Sequence, residues 1–103
     1  MTNNIPQKLH FALKLNPLRP TFSIDMNEEE RGIMQQHVTF WADLMSKGKV
    51  IVYGPILDPK GAYGFGVVEV DTEEEVKAII ANDPAARINK YEYYPMRAII
   101  PKR

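Results

Sequence analysis

Two imidazoles, His10 and His37, are the only ones in the chain, and imidazole is the side chain whose ordinary titration falls near neutral pH. His37 lies four residues after Ile33 and four before Trp41, so at helical spacing it shares their apolar stripe. A histidine there is either a core group satisfied by one hydrogen bond or a general acid/base that moves a proton at pH 7. His10 falls on the polar side of an alternating strand, where it could line a pocket. A histidine base gains from a carboxylate that fixes its tautomer and stabilises the imidazolium. Asp58, after Gly54-Pro55, is the first candidate for that role. In an Asp-Pro-x-Gly sequence it serves equally as a turn residue for the amides that follow. Asp83, ahead of Pro84, is the second candidate, with helix termination as its other role. Nothing in the spacing brings His37 and Asp58 together, because they stand on different elements.

Arg19 could hold a carboxylate or phenolate bidentately, or stay solvated. Tyr53, Tyr63, Tyr93 and Tyr94, with Trp41, could line a pocket for an aromatic ligand or simply fill a core. The expected set is therefore His37 and Asp58 for catalysis, with Arg19, Trp41, Tyr53 and Asp83 binding the substrate. Other chemistries fall away. The chain has no cysteine, which excludes a disulfide framework, a thiol nucleophile and cysteine-held metals. Two histidines without His-x-x-x-His spacing make a zinc site improbable, and no metal is expected. Gly61-x-x-Gly64-x-Gly66 is not followed by a helix, so it is neither a P-loop nor a dinucleotide fingerprint. Ser23 and Ser46 sit in no nucleophile elbow. Glu73-Glu74-Glu75 is a helix-start charge run.

The elements that must position these residues can be read in order. Leu9-His10-Phe11-Ala12-Leu13-Lys14-Leu15 alternates as a half-buried strand does, with Leu9, Phe11, Leu13 and Leu15 on one face. Asn16 to Asp25 carries Pro17 and Pro20 and reads as a long, non-helical connection of the kind that often bears function. Asn27 opens a helix with Glu30 as capping-box partner, and Lys47-Gly48-Lys49 closes it. Val50-Ile51-Val52-Tyr53 is a strand running toward Gly54-Pro55-Ile56-Leu57, and Asp58-Pro59-Lys60-Gly61 is a turn. Ala62 to Val70 returns as the second arm of a hairpin, with Gly64 and Gly66 on one face and Tyr63, Phe65 and Val67 on the other. A second helix starts at Thr72, with Glu75 three positions on, buries Val76, Ile79 and Ile80, and stops at Asn82-Asp83-Pro84. A last strand lies within Ile88 to Ile100, where Pro95 argues for a bend or a sheet edge.

Strand, helix, strand, strand, helix, strand is the split βαβ order of ferredoxin-like α+β domains, one antiparallel sheet with both helices on one face. Tyr63, Phe65, Val67, Tyr91, Tyr93, Phe11 and Leu13 make both faces of that sheet apolar. A homodimer that packs two sheets into a barrel-like core would bury the second face. The chain of 103 residues is 45% apolar and 25% charged, with thirteen Lys+Arg balancing thirteen Asp+Glu. Its length suits one domain, spanning residues 1–103. Zero net charge removes the long-range attraction to phosphate backbones, so no nucleic-acid partner is expected. The start lacks the features of a signal peptide, no apolar run is long enough for a membrane span, and a cysteine-free chain fits the cytoplasm.

His37-x-x-Phe40-Trp41, Gly48-Lys49-Val50, Gly54-Pro55-Ile56-Leu57-Asp58-Pro59-x-Gly61 and Asn82-Asp83-Pro84, in that order, resemble the YCII-related (YciI-like) family over about Leu9 to Met96. The resemblance implies a ferredoxin-like fold that dimerises into an α/β barrel. It implies also a site built on a histidine and an aspartate, which fall on His37 and Asp58, with Asp83 a further member. Arg19-Pro20-Thr21-Phe22 and Asp25-Met26 resemble a longer-loop branch of the family, in which Arg19 is a pocket residue. Ala85-Ala86 stands where many relatives carry an aromatic, a departure that would reshape the pocket.

The expectation is a small cofactor-independent enzyme, a lyase or isomerase. His37 would move a proton at a carbon or hydroxyl of a small cyclic or aromatic substrate, and Asp58 would hold its tautomer. Elimination, isomerisation and lactone chemistry all fit. The alternative is a non-catalytic dimeric module that binds a small metabolite or assists a partner enzyme. Haem- or flavin-linked oxygenation, which related barrels perform, would have only His10 and His37 as iron ligands.

Overall fold

The computed structural model describes residues 7–102. The polar lead at residues 1–6, on which the expectation of no leader rests, and residue 103 lie outside them. Strand β1 (Leu9–Pro17) is followed by a one-turn helix α1 (Phe22–Asp25), the long helix α2 (Glu28–Ser46), strands β2 (Val50–Ile56) and β3 (Tyr63–Val70), helix α3 (Glu73–Asn82) and strand β4 (Asn89–Met96). The strands form one sheet in the order β2-β3-β1-β4, antiparallel at every pair. This is the α+β, ferredoxin-like arrangement expected from the element order.

Register assigns the two faces. Leu13 pairs with Gly66 and Tyr93, Leu15 with Gly64 and Tyr91, and Phe11 with Val68. Directly opposed residues share a face, so these line the side covered by the helices. Phe11, Leu13, Val68, Val70, Val76, Ile79 and Trp41 are buried there as one core. The opposite face carries Ala12 paired with Val67 and Tyr94, Lys14 with Phe65 and Glu92, and Val52 with Val67. Pro95 lies on β4, an edge strand, where one row of ladder hydrogen bonds is unused and a missing N–H costs nothing.

Local sequence fixes the helix ends. Asn27 Oδ1 accepts from Glu30 N at 2.8 Å and Glu30 Oε1 from Asn27 N at 2.9 Å, a complete capping box. Gly48, with φ of +78°, follows α2 in the left-handed region that an L side chain resists. At α3, Thr72 Oγ1 accepts from Glu75 N at 3.3 Å, while the Glu75 carboxylate reaches back to Asp71 N at 3.2 Å.

Two local features depart from the sequence reading. The stretch between β1 and α2 contains α1 instead of being wholly non-helical. Pro20 lies ahead of that turn and leaves its backbone intact, Thr21 O accepts from Ile24 N and Asp25 N, and the turn buries Phe22 at 4% exposure. Pro84–Arg87 forms a further 3-10 turn, opened by Asp83, whose Oδ1 accepts from Ala85 N at 2.9 Å. Pro84 at its first position suits the fixed φ and absent N–H of proline.

Candidate active site

Helix α2 lays His37 and Trp41 one turn apart against the sheet, and the residues beneath them make room. An ideal Cβ on Gly66 would stand 2.5 Å from Trp41 Cζ3, so only glycine at that sheet position admits the indole. Trp41 is 3% exposed, with its ring centroid 5.6 Å from that of Tyr53 and 6.2 Å from that of His37.

Asp83 ends α3 directly behind these rings and is 2% exposed. Its Oδ2 accepts from His37 Nδ1 at 2.8 Å, from Trp41 Nε1 at 2.9 Å and from the Tyr91 hydroxyl. Its Oδ1 accepts from Ala85 N at 2.9 Å and lies 3.0 Å from His37 Nδ1. Trp41 Nε1 lies also 3.1 Å from the Tyr91 oxygen. Burial pushes the Asp83 carboxyl up, but the bonds from His37, Tyr91 and the Ala85 amide outweigh it and hold the acid below the usual carboxylate range. Burial, reinforced by the Asp83 charge, pushes the Tyr91 phenol far above its ordinary range. Tyr91 is therefore a neutral donor and Asp83 an ionised acceptor.

That hub decides the histidine tautomer. A carboxylate only accepts, so Nδ1 must carry a proton, and in the neutral ring Nε2 is the lone pair. Nε2 has no hydrogen-bond partner among the described residues, and no buried side-chain nitrogen or oxygen there lacks one. Nε2 is thus accessible.

His37 lines a cavity of about 260 Å³. Its floor is the sheet at Leu13, Leu15, Gly64 and Gly66, and its far wall is Tyr53, Pro55 and Tyr63 of the hairpin. Met34, Val38 and Trp41 of α2 line it beside His37, and Phe22, Ser23 and Met26 close it from the α1 segment. Asn89 and Tyr91 complete the β4 end. Asn89 Nδ2 is engaged with Ala85 O at 3.0 Å.

Among the residues expected at the site, the structure brings together His37, Trp41 and Asp83, and it sets Tyr53 on the cavity wall. Asp58 is not with them. Its Oδ1 accepts from Lys60 N at 2.9 Å and its carbonyl from Gly61 N at 2.9 Å, the turn arrangement of an Asp-Pro-x-Gly sequence. Arg19 does not line the cavity either. Its guanidinium donates to both Glu30 oxygens at 2.8 Å, to Asp25 Oδ1 at 2.8 Å and to Asp25 O at 3.1 Å. The arginine is a clamp on the α1 segment, and Phe22, under its guanidinium, is the residue it presses onto the cavity. His10 lies on the opposite sheet face, with Nε2 2.9 Å from Glu69 Oε2. Ala85 and Ala86 do not line the cavity; the Ala85 amide instead serves Asp83. Tyr91 is not among the residues expected at the site; the sequence marks it only as one of the apolar sheet residues, and its pairing with Leu15 is what puts it under α2.

Among the described residues no group of three or more His, Cys, Asp or Glu side chains could hold a metal ion, and no helix is long and apolar enough to cross a membrane. No curated protein matches the chain. A solved structure of a mutant of SnoaB, a cofactor-independent oxygenase from Streptomyces nogalater, is similar with a TM-score of 0.49 at 11% identity, covering 93% of this chain and 99% of that one. The model of the YCII-related domain matches residues 10–100, in which lie the His37–Asp83 pair and the hairpin; the chain belongs to the YCII-related domain family.

Proposed function

We propose that the protein is a small cofactor-independent enzyme in which His37 Nε2 takes a proton from a small cyclic or aromatic substrate held in the cavity. The observation that carries this reading is the buried Asp83 hub, which leaves Nδ1 protonated and Nε2 accessible as a base. Asp83 takes the orienting role that the sequence reading gave to Asp58. As the proton arrives, the imidazolium is stabilised by the Asp83 charge, and general acid/base transfer of this kind contributes on the order of a hundredfold or more in rate. Returning that proton to another atom of the same substrate gives isomerisation; losing a leaving group instead gives elimination. Trp41 and Tyr91 keep the carboxylate fixed, so the ring cannot turn away. A homodimer joined through the outer sheet face completes the proposal, since Val52, Ile56, Tyr94 and Met96 are exposed there.

The test is turnover on a panel of lactones, enols and substituted phenols. Wild type should convert at least one of them, His37→Gln should lose about hundredfold or more of that rate, and Asp58→Asn should keep it. Saturable binding with no conversion of any member would favour the non-catalytic module.

A further inference from the structure

Resting on the proton-transfer reading, the cavity also limits what the substrate can be. Three features of its lining bear on this: size, charge and hydrogen-bonding capacity. In protein interiors an apolar cavity of about 150 Å³ takes one benzene, so about 260 Å³ takes roughly two fused rings. None of the lining residues is lysine, arginine, aspartate or glutamate. Arg19, the cation of the α1 segment, spends its donors on Glu30 and Asp25, and Lys14, paired with Phe65 on the uncovered sheet face, holds its ammonium 4.4 Å over the Tyr63 ring. A carboxylate or phosphate entering the cavity while the His37 ring is neutral would therefore be stripped of water with no cation to receive it, a cost far above that of a neutral group. Of the proton-bearing side chains in the lining, those of Trp41, Tyr91 and Asn89 are occupied, whereas the hydroxyls of Ser23, Tyr53 and Tyr63 can each donate or accept. Trp41 Nε1 and the Tyr91 hydroxyl donate to Asp83, and Asn89 Nδ2 to Ala85 O. What remains with a known polarity is the His37 Nε2 lone pair, which asks for a donor.

We infer that this site takes an uncharged two-ring aromatic bearing a hydroxyl, with the O–H donated to His37 Nε2. Proton transfer then converts the phenol to its phenolate and the imidazole to imidazolium, and the new cation lies between the phenolate and Asp83. With the imidazole neutral before transfer, charge is created inside the site only as a compensated pair, which is why a neutral ligand suits that state of the site and a pre-formed anion does not. The Phe22 and Trp41 rings supply the apolar walls.

Nuclear magnetic resonance titrations of the intact chain with 1-naphthol, naphthalene and 1-naphthoate separate these requirements. 1-Naphthol should shift the Phe22 and Val38 amides and the Trp41 indole N–H, and should move the His37 Nε2 nitrogen resonance. Naphthalene should shift the same amides about tenfold more weakly, the factor of one ordinary hydrogen bond, and leave Nε2 in place. 1-Naphthoate should bind at least about a hundredfold more weakly than 1-naphthol. Naphthoate binding as tightly as naphthol overturns the neutral-ligand inference. Equal affinities of naphthol and naphthalene overturn the donor requirement, and no binding by any of the three overturns the ligand class. The same spectra without ligand report the His37 tautomer. An Nδ1–H ring with failed ligand arms overturns this inference alone, whereas an Nε2–H ring overturns the proton-transfer reading beneath it.

Discussion

At the scale of single residues, Asp83 does the most. A buried carboxylate with one partner would be a liability, because removing its charge from water costs more than a single hydrogen bond returns. Asp83 instead collects a ring N–H, an indole N–H, a hydroxyl and a backbone amide. Asp83→Ala should cost on the order of 3 kcal/mol in denaturant unfolding, since several buried donors lose their acceptor. Its pH dependence has a definite sign. The folded-state acid is held below its ordinary range, so its contribution is present above the ordinary carboxylate value and is lost as pH falls through the depressed one. The stability gap between wild type and Asp83→Asn, followed by thermal melts from pH 7 downward, should therefore narrow on acidification. Tyr91 acts in the opposite direction: with its phenol raised far above the ordinary range, its contribution is complete below pH about 10 and declines as pH rises beyond it.

At the scale of elements, the cavity exists because a helix and a strand leave each other space and a short strap covers the gap. Gly66 is the space: Gly66→Ala drives a methyl into the Trp41 ring, 2.5 Å from Cζ3. That overpacking should cost about 1–3 kcal/mol, read by equilibrium unfolding, and should disturb the Trp41 indole N–H resonance. The strap is α1, held from both ends. Arg19 bridges Glu30 and Asp25, while the hairpin turn comes close enough to Pro20 that a Cβ on Gly61, at φ of +142°, would stand 3.0 Å from its carbonyl oxygen. The Arg19 bonds, aided by the Asn27 amide, push the Glu30 carboxyl down to about 2. The clamp thus holds above the ordinary glutamate range and releases as pH falls through about 2. Arg19→Lys, which replaces a planar fork by a point charge, should speed hydrogen exchange of the Phe22 to Asp25 amides while leaving the global melting temperature almost unchanged.

At the scale of the whole molecule, the sheet has one face under helices and one without cover. Val52 is 54% exposed and Tyr94 55% exposed on the uncovered face, beside Phe65 and Met96. The His10–Glu69 pair lies on it with its two side chains only 15% and 11% exposed. A second copy is the occupant that the two-faced composition suggests. Sedimentation velocity should find a dimer in the wild type and a monomer in Val52→Glu/Tyr94→Glu; a monomeric wild type would overturn the barrel.

Much of this was legible in the chain. Period-two alternation in Leu9 to Leu15, the Asn27/Glu30 box, Gly48 and the Asp-Pro-Lys-Gly turn are local devices, and each is decided by neighbours a few residues away. They determine the strands, the helices and their order, and with them the ferredoxin-like fold and His37 on the inner face of α2. The choice between Asp58 and Asp83 as partner of His37 is of another kind. Both are aspartates beside prolines, and their local chemistries predict a turn or a cap for each. Asp83 does cap the turn that follows it, yet its second oxygen also reaches His37, Trp41 and Tyr91, because α3 ends under α2 at the β4 edge of the site. Arg19 is similar: its type suits an anionic ligand, but Glu30, in the first turn of α2, takes its guanidinium at 2.8 Å. Sequence determines which groups can titrate, donate or bend the chain; only the packing of α2 over Gly66 and against the end of α3 decided which of them meet, because hydrogen bonds depend on distances that distant segments set together.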